Sequence, residues 1–354
     1  MESLIAKGAK GLVAGPKNLI LRRMARLKPK WLVFMASEIC NSHCTQCNIW
    51  KNKKTHEPLS PEEIRKTLSD PLFSEVLYIN NTGGEITTRT DLKEVIMAEH
   101  EALPKATISL STNAILPQRA YDAAKYALEQ GITVHVGVSL DGIGEKHDKV
   151  RGTEGNFESA DWLLRQLLEL KKTYGNKLWI VVGSVLMDET LPNLGEIRSY
   201  LKDKDVCHEV QCYNSASFFN NLDSTSKETQ IAEIEKVVKS LPPRLMNDMW
   251  LRWIRGKPIK FTCFAMHSFC VLKSNGDIVP CLNLWDAKAG NVREASPSEI
   301  WRSAMAKEAR KAVNACPGCV CSFGTNWSFA SSFYPFMFYY LKHPGALKSL
   351  PRSS

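Results

Sequence analysis

The stretch WLVFMASEICNSHCTQCNIW, residues 31–50, places a short apolar run directly before Cys40, Cys44 and Cys47. An apolar run of strand length that ends in a polar loop reads as a buried parallel strand delivering its C-terminal end to a functional face. Five further runs have the same character: EVLYIN (75–80), ATISLS (106–111), ITVHVGVS (132–139), LWIVVGSVL (178–186) and VCHEVQCY (206–213). Helical patterns separate them. LSPEEIRKTL (59–68) opens with Ser60 as N-cap, Pro61 at the first helical position and Glu63 closing a capping box, while QRAYDAAKYALEQG (118–131) stops at Gly131. A βα unit repeated six times predicts an α/β protein with a parallel sheet. Polar and glycine-rich clusters follow each of the first four strands, which favours a partial (β/α)6 TIM-like barrel over a doubly wound sheet, because a barrel gathers such loops at one mouth.

Those clusters are the cysteine loop, then NNTGGE (80–85), STN (111–113) and SLDG (139–142) followed by HDKVRG (147–152). Three thiolates are one short of a closed tetrahedral zinc site, and His43, the direct neighbour of Cys44, is poorly placed to be the fourth ligand. A cubane iron-sulfur cluster held by three cysteines instead keeps one iron open for another ligand. Read singly, GGE and SLDG are ordinary turn sequences, and Arg151 could be a surface partner of Asp148 or Glu154.

Taken in order, C-x3-C-x2-C after the first strand, GGE after the second, and SLDG with a downstream Arg after the fourth resemble the radical S-adenosylmethionine (radical SAM) superfamily over residues 31–215. The resemblance implies a 4Fe-4S cluster on Cys40, Cys44 and Cys47, whose open iron is chelated by S-adenosylmethionine. It implies that Gly83, Gly84 and Glu85 hold the methionine amino group and that Ser139 and Arg151 meet its carboxylate. Ser111, Asn113 and Asp141 fall at ribose and nearby polar contacts, and Ser184 beside the adenine. Two positions depart from the family pattern, Gln46 where an aromatic is common and Ile86 where a proline follows GGE. They bear on the placement of adenine and methionine, not on the cluster ligands.

A second cysteine group follows. FTCFAMHSFCVLKSNGDIVPC (261–281), a helix opened by a Ser296/Glu299 capping box, and CPGCVC (316–321) resemble the C-terminal Twitch or SPASM extension of these enzymes, which carries auxiliary clusters. Cys263, Cys281, Cys316 and Cys319 make one four-ligand set, with Cys270 and Cys321 as alternatives, and the series that a second auxiliary cluster needs is missing. One auxiliary 4Fe-4S cluster is therefore expected, with a structural zinc in the same cysteines as the competing reading. A saturated cluster can carry electrons but cannot hold substrate, so the implied chemistry is hydrogen abstraction from an unactivated C–H bond with redox modification. A flavodoxin or ferredoxin would serve as electron donor. Glu209, Cys212 and Tyr213, at the end of the sixth strand, are the candidates for acting on the substrate radical; Cys212 as hydrogen donor would make the reaction an epimerisation.

Composition is that of a globular chain: 354 residues, 44% hydrophobic and 23% charged. Eleven cysteines, six of them in two tight groups, suit metal ligation in a reducing cytoplasm better than a disulfide framework. No secretory signal or spanning segment is legible. The net charge of +9 is concentrated at the ends: residues 1–30 hold eight Lys/Arg against Glu2, and residues 327–354 hold three with no acid. A neutral middle argues against a nucleic-acid partner. WSFASSFYPFMFYY (327–340) packs eight aromatics into fourteen positions, and beside cations this suits a peripheral membrane contact and a lipid or lipid-linked substrate. The equal alternative is that both tails fold back, aromatics inward, over the barrel bottom or the auxiliary domain. Peptide or sugar substrates are the alternatives, and a non-catalytic metal scaffold is the reading from another class. The expected divisions are a basic extension (1–30), the barrel (31–225), linker helices with the auxiliary region (226–326) and the aromatic tail (327–354).

Overall fold

A computed structural model describes residues 15–24, 26–53, 56–213, 216–219, 231–240, 245–257, 259, 261–332 and 334–344. Six strands, β1 (Trp31–Ser37), β2 (Tyr78–Gly83), β3 (Thr107–Thr112), β4 (Val134–Ser139), β5 (Leu178–Leu186) and β6 (Cys207–Cys212), pair in parallel in their chain order. An order that never reverses has no switch point, so the sheet advances one way as a barrel wall and does not open into two wound halves. The expected α/β partial barrel is what the chain forms. Between the strands, the helix Pro61–Leu68 carries the Ser60/Glu63 capping box and Pro297–Arg302 carries the Ser296/Glu299 box, both as their sequences require.

The wall does not stop at β1. Its free edge is taken by β7 (Phe269–Leu272), again in parallel, and antiparallel β8 (Asp277–Val279) and β9 (Gly290–Asn291) complete a sheet of nine strands. The auxiliary cysteine region thus continues the barrel sheet, and the β1 backbone groups are paired on both sides.

Side-chain alternation sorts the strands into two faces. Leu32, Phe34, Ile79, Ile108, Leu110, Val134, Val136 and Val138 are buried in the main core under the helices. The opposite parity is polar: the Tyr78 hydroxyl lies 2.5 Å from His135 Nδ1, and Ser111 Oγ donates to Asn80 Oδ1 at 3.3 Å.

Both tails dock onto this frame. In the helix Ser322–Ser332, Trp327 stacks on Trp31 at 4.3 Å and lies 5.6 Å from Tyr78, and Phe329 is buried. Asn18, on a helix over residues 15–23, donates to the Ser331 carbonyl at 2.8 Å. In the helix Tyr334–Lys342, Tyr339 and Tyr340 are buried whereas Phe338 and Leu341 face solvent. Of the described aromatics of this segment, Trp327, Phe329, Tyr339 and Tyr340 turn inward and Phe338 does not, the side chains of Phe333, Tyr334 and Phe336 lying outside the described residues; among the described residues no helix is long and apolar enough to cross a membrane.

Candidate active site and auxiliary cysteine group

At the C-terminal ends of the strands lies a cavity of about 250 Å³, lined by Cys40, Cys44 and Cys47 together with Gly83, Gly84, Glu85, Ser111, Asn113, Ser139 and Arg151. The loop holding the cysteines is fastened on two sides. Gly84 N and Glu85 N donate to the Ser37 and Ile39 carbonyls at 2.8 Å each, and His43 N and Thr45 N donate to the Arg151 and Val150 carbonyls at 3.1 and 2.9 Å. Glycine is needed at the first contact: a Cβ on Gly83, whose φ is +142°, would overlap the Ser37 carbonyl, and one on Gly84 the Ile39 carbonyl. Burial, with Glu85 and the neighbouring sulfurs, pushes the Cys40 thiol up to about 12; burial and Cys44 push Cys47 up to about 11. To be held as thiolates in this pocket the three sulfurs would need a positive counter-charge, which the core of a metal cluster would supply. Among the described residues no three His, Cys, Asp or Glu side chains close on one point as a mononuclear ion requires; a cubane, which takes each thiolate at a separate iron, does not need that.

Several expected contacts are placed differently. Asp141 is fully buried and lies outside the cavity lining. Its Oδ2 pairs with Arg151 Nη2 at 2.7 Å and accepts from Gln46 Nε2 at 3.2 Å, while Oδ1 accepts from Val185 N at 2.8 Å. It anchors Arg151 from outside the cavity lining, a position that does not support the expected ribose contact, and the partner of Arg151 is neither Asp148 nor Glu154. The Glu85 carboxylate is saturated from within, accepting from Thr87 N and Oγ1, Thr112 Oγ1 and Asn113 N at 2.7–3.1 Å. It has little capacity left to receive a methionine amino group. Ser184 has the wrong parity: its hydroxyl donates to the Leu140 carbonyl at 2.5 Å and meets His208 Nε2 at 2.9 Å, and Val185 lines the cavity instead. Glu209 is exposed and outside the lining, whereas Cys212 and Tyr213 border it, with Cys212 packed into the main core and its thiol raised by burial.

Arg151 also approaches Cys44 Sγ at 3.8 Å, Ser42 Oγ lies 3.0 Å from the same sulfur, and Arg151 Nε is buried with no partner among the described residues. The SLDG turn is braced by His147, whose Nδ1 accepts from Asp141 N at 3.1 Å. Burial, reinforced by Arg151, pushes that imidazole down to about 4 and keeps it neutral. Sequence reasoning passed over Phe218 and Phe219. They line the cavity, and with Met35, Ile49, Leu282 and Trp285 they form an apolar cap around Cys40 and Cys47 that excludes water. The signal was the pair of phenylalanines just beyond β6.

In the second group, burial raises the Cys263, Cys281 and Cys319 thiols, and each feels others of the set: Cys263 feels Cys316, Cys281 feels Cys263 and Cys321, and Cys319 feels Cys321, Cys281 and Cys263. Five sulfurs therefore share one neighbourhood, and Cys321 stays level with Cys316 and Cys319. Cys270 does not belong. It is fully buried in β7 opposite Leu32, and burial alone raises its thiol, to about 12. Cys281 directly precedes Leu282 and Trp285 of the apolar cap, so the two cysteine groups are joined by one short segment.

Residues 35–197 match the model of the radical SAM superfamily, and residues 263–321 match that of the SPASM iron-sulfur cluster-binding domain. Fe-coproporphyrin III synthase of Methanosarcina barkeri is 36% identical over 315 residues, which is 81% of this chain and 76% of that protein. A probable GTP 3',8-cyclase of Methanococcus vannielii is 30% identical over 257 residues, 69% of this chain and 81% of that protein. The solved structure of anSMEcpe with bound AdoMet and Cp18Cys peptide shares the fold with a TM-score of 0.58 at 18% identity, covering 90% of this chain and 98% of that one. The chain is a member of the radical SAM superfamily, an enzyme using a 4Fe-4S cluster and S-adenosylmethionine, with a C-terminal SPASM iron-sulfur domain.

Proposed function

We propose that this enzyme abstracts a hydrogen atom from an unactivated C–H bond of a small organic substrate and delivers the second electron of a net oxidation to one auxiliary cluster. The observation that carries the reading is the short link between the two cysteine groups, Cys281 leading into the cap over Cys40 and Cys47. When bound, the first cluster and S-adenosylmethionine supply one-electron cleavage to methionine and a 5′-deoxyadenosyl radical. The chain's own part is to bind, orient and shield. Cys40, Cys44 and Cys47 hold the cluster. The Gly83–Glu85 backbone receives the amino group, Ser139 and the open Nε of Arg151 receive the carboxylate, Ser111 and Asn113 face the ribose, and Val185 flanks the adenine. Cys263 and Cys281 with two of Cys316, Cys319 and Cys321 hold the auxiliary cluster, and a flavodoxin or ferredoxin supplies electrons.

A small molecule is favoured because the relatives that match most of the chain are named for a porphyrin product and a nucleotide substrate, while the peptide-bound structure supports the fold alone. The inward turn of the tail aromatics removes the main support for a lipid substrate. The test is anaerobic: dithionite-reduced protein with S-adenosylmethionine is offered deuterated cell extract, split into small-molecule, peptide and lipid fractions. Deuterium in 5′-deoxyadenosine from the small-molecule fraction is the expected result. Deuterium from the peptide or lipid fraction overturns the substrate class, and absence of 5′-deoxyadenosine from cluster-replete protein overturns the activity.

A further inference from the structure

Two guanidiniums, Arg22 half-buried and Arg310 buried, sit on the elements that carry the auxiliary cysteines, Arg22 against Cys263 itself and Arg310 on the helix that leads into Cys316, and no acid among the described residues balances either. Arg22, on the helix over residues 15–23 and outside both matched family segments, donates from Nε to the Cys263 carbonyl at 2.8 Å and from Nη2 to Asn314 Oδ1 at 2.7 Å; its guanidinium lies 5.7 Å from the Phe264 ring centroid. Arg310, on the helix Ala304–Ala315, is 7% exposed. It donates to the Met266 and Trp301 carbonyls at 3.0 and 2.8 Å and lies 5.0 Å from the Trp301 ring centroid. Every acceptor is neutral, and among the described residues no carboxylate pairs with either. The buried imidazole near them supplies no anion: His267 is pushed down to about 3 by burial and by both arginines.

Holding charge away from water without a counter-ion is expensive, and natural sites provide one. The available counter-charge is the cysteine group, since an iron-sulfur cluster with four thiolate ligands is anionic. We propose that Arg22 and Arg310 are the counter-cations of the auxiliary cluster and hold its reduction potential high, so that it accepts the electron released during substrate oxidation. They act as positioning and electrostatic residues and ligate nothing. The sign follows from Coulomb attraction: a nearby positive charge favours the form carrying the additional electron.

This rests on the auxiliary-cluster reading above, and the experiment separates the two. The full chain is reconstituted anaerobically, iron and zinc are counted, and each cluster's midpoint potential is titrated by EPR. Arg22→Gln is expected to make the auxiliary midpoint more negative, so that at the parental midpoint the reduced-to-oxidised ratio falls about tenfold, a shift of about 59 mV for a one-electron couple. The first cluster stays where it was. Arg22→Lys, which keeps the charge but not the two-bond fork, recovers most of the shift. Arg310→Gln moves the same midpoint in the same direction from the other side and decides the matter if Arg22→Gln loses iron. An unchanged auxiliary midpoint at full iron content, or equal shifts in the Gln and Lys variants, overturns the electrostatic role while leaving the cluster in place. Zinc in the parent protein where four irons are expected overturns the auxiliary-cluster reading and this inference with it.

Discussion

Replacing Asp141 by Asn separates an anchor from a cofactor contact. Asp141 is fully buried and Arg151 is 8% exposed, with Oδ2 and Nη2 2.7 Å apart. The carboxylate meets donors on both oxygens: Val185 N on one, Arg151 and Gln46 on the other. An amide has a single acceptor oxygen, so one rotamer points its NH2 at Arg151 and the other at Val185 N, and in either a donor faces a donor. Breaking a buried pair by removing one partner costs about 3–5 kcal/mol, because the remaining charge is uncompensated. The loss should appear in chemical unfolding of Asp141→Asn. Iron retention should fall as well, because Arg151 carries contacts to Ser42 and Cys44. Replacing both partners, Asp141→Leu with Arg151→Met, should recover at least about 2 kcal/mol relative to the sum of the single changes, since no orphan charge is left. If Asp141→Asn unfolds within about 0.5 kcal/mol of the parent, the typical scatter of neutral substitutions, and only weakens S-adenosylmethionine binding, the anchor assignment is wrong and the ribose assignment returns.

Gly84→Ala should lower stability by about 1–3 kcal/mol through overpacking and lower first-cluster iron, because its Cβ would enter the Ile39 carbonyl that precedes Cys40; iron analysis of the reconstituted variant beside Gly144→Ala, whose φ of +58° strains the backbone but whose Cβ meets nothing within 4 Å, separates crowding from backbone strain. Converting Cys40, Cys44 and Cys47 together to Ala should remove half of the bound iron and abolish 5′-deoxyadenosine formation while leaving an EPR-active auxiliary cluster; loss of all iron would count against two separate centres. Glu99 is fully buried, and burial pushes its carboxyl up to about 8 against the opposing bond from Asn81 at 2.9 Å and the charge of Arg89. Its folded pKa lies above the unfolded value near 4.5, so stability should fall as pH rises from about 4.5 through about 8. Glu99→Gln should flatten that slope and be the more stable protein at pH 9, by on the order of 3 kcal/mol; parallel slopes in the two proteins would show that Glu99 is not the group titrating.

The fold was legible because each element announced itself locally: apolar runs bounded by capping boxes and glycines leave a parallel barrel wall little alternative. Boundaries slipped where function intervened. The second strand, read as 75–80, runs Tyr78–Gly83, since Asn80, Asn81 and Thr82 look like loop residues in a sequence but lie in the ladder beside β1 and β3. The hairpin of β7 and β8 is legible in NGD flanked by apolar residues, but its docking on β1 is not, because a parallel pairing between residues 31–34 and 269–272 leaves no trace in either stretch alone. The same holds for the tail: fourteen residues dense in aromatics read alike whether they meet lipid or protein, and it takes the stacking of Trp327 on Trp31 and the burial of Phe329, Tyr339 and Tyr340 to show that these four meet protein.

The site was legible in its ligands and less so in its supports, and the physical reason is parity. Cysteine spacing and glycine doublets are chemical signatures that survive without coordinates, but whether Ser184 or Val185 faces the cavity depends on a two-residue period whose phase has to be set by neighbouring strands. The Ser184 hydroxyl meets His208 on the helix-covered face, which places Val185 in the cavity and carries Cys212 into the core with Leu186, its partner in the ladder. That phase also bears on the outcome of the reaction. A hydrogen-donating cysteine must reach the substrate radical, whereas Cys212 is drawn toward apolar side chains and its thiol is held protonated by burial. Cys212 borders the cavity between Gln211 and Tyr213, which can orient a substrate by hydrogen bonding, and no other cysteine of β6 lines it. Under the proposed net oxidation the second electron would leave past Trp285 toward Cys281, and the burial of Cys212 on the core side of β6 supports that proposal over epimerisation.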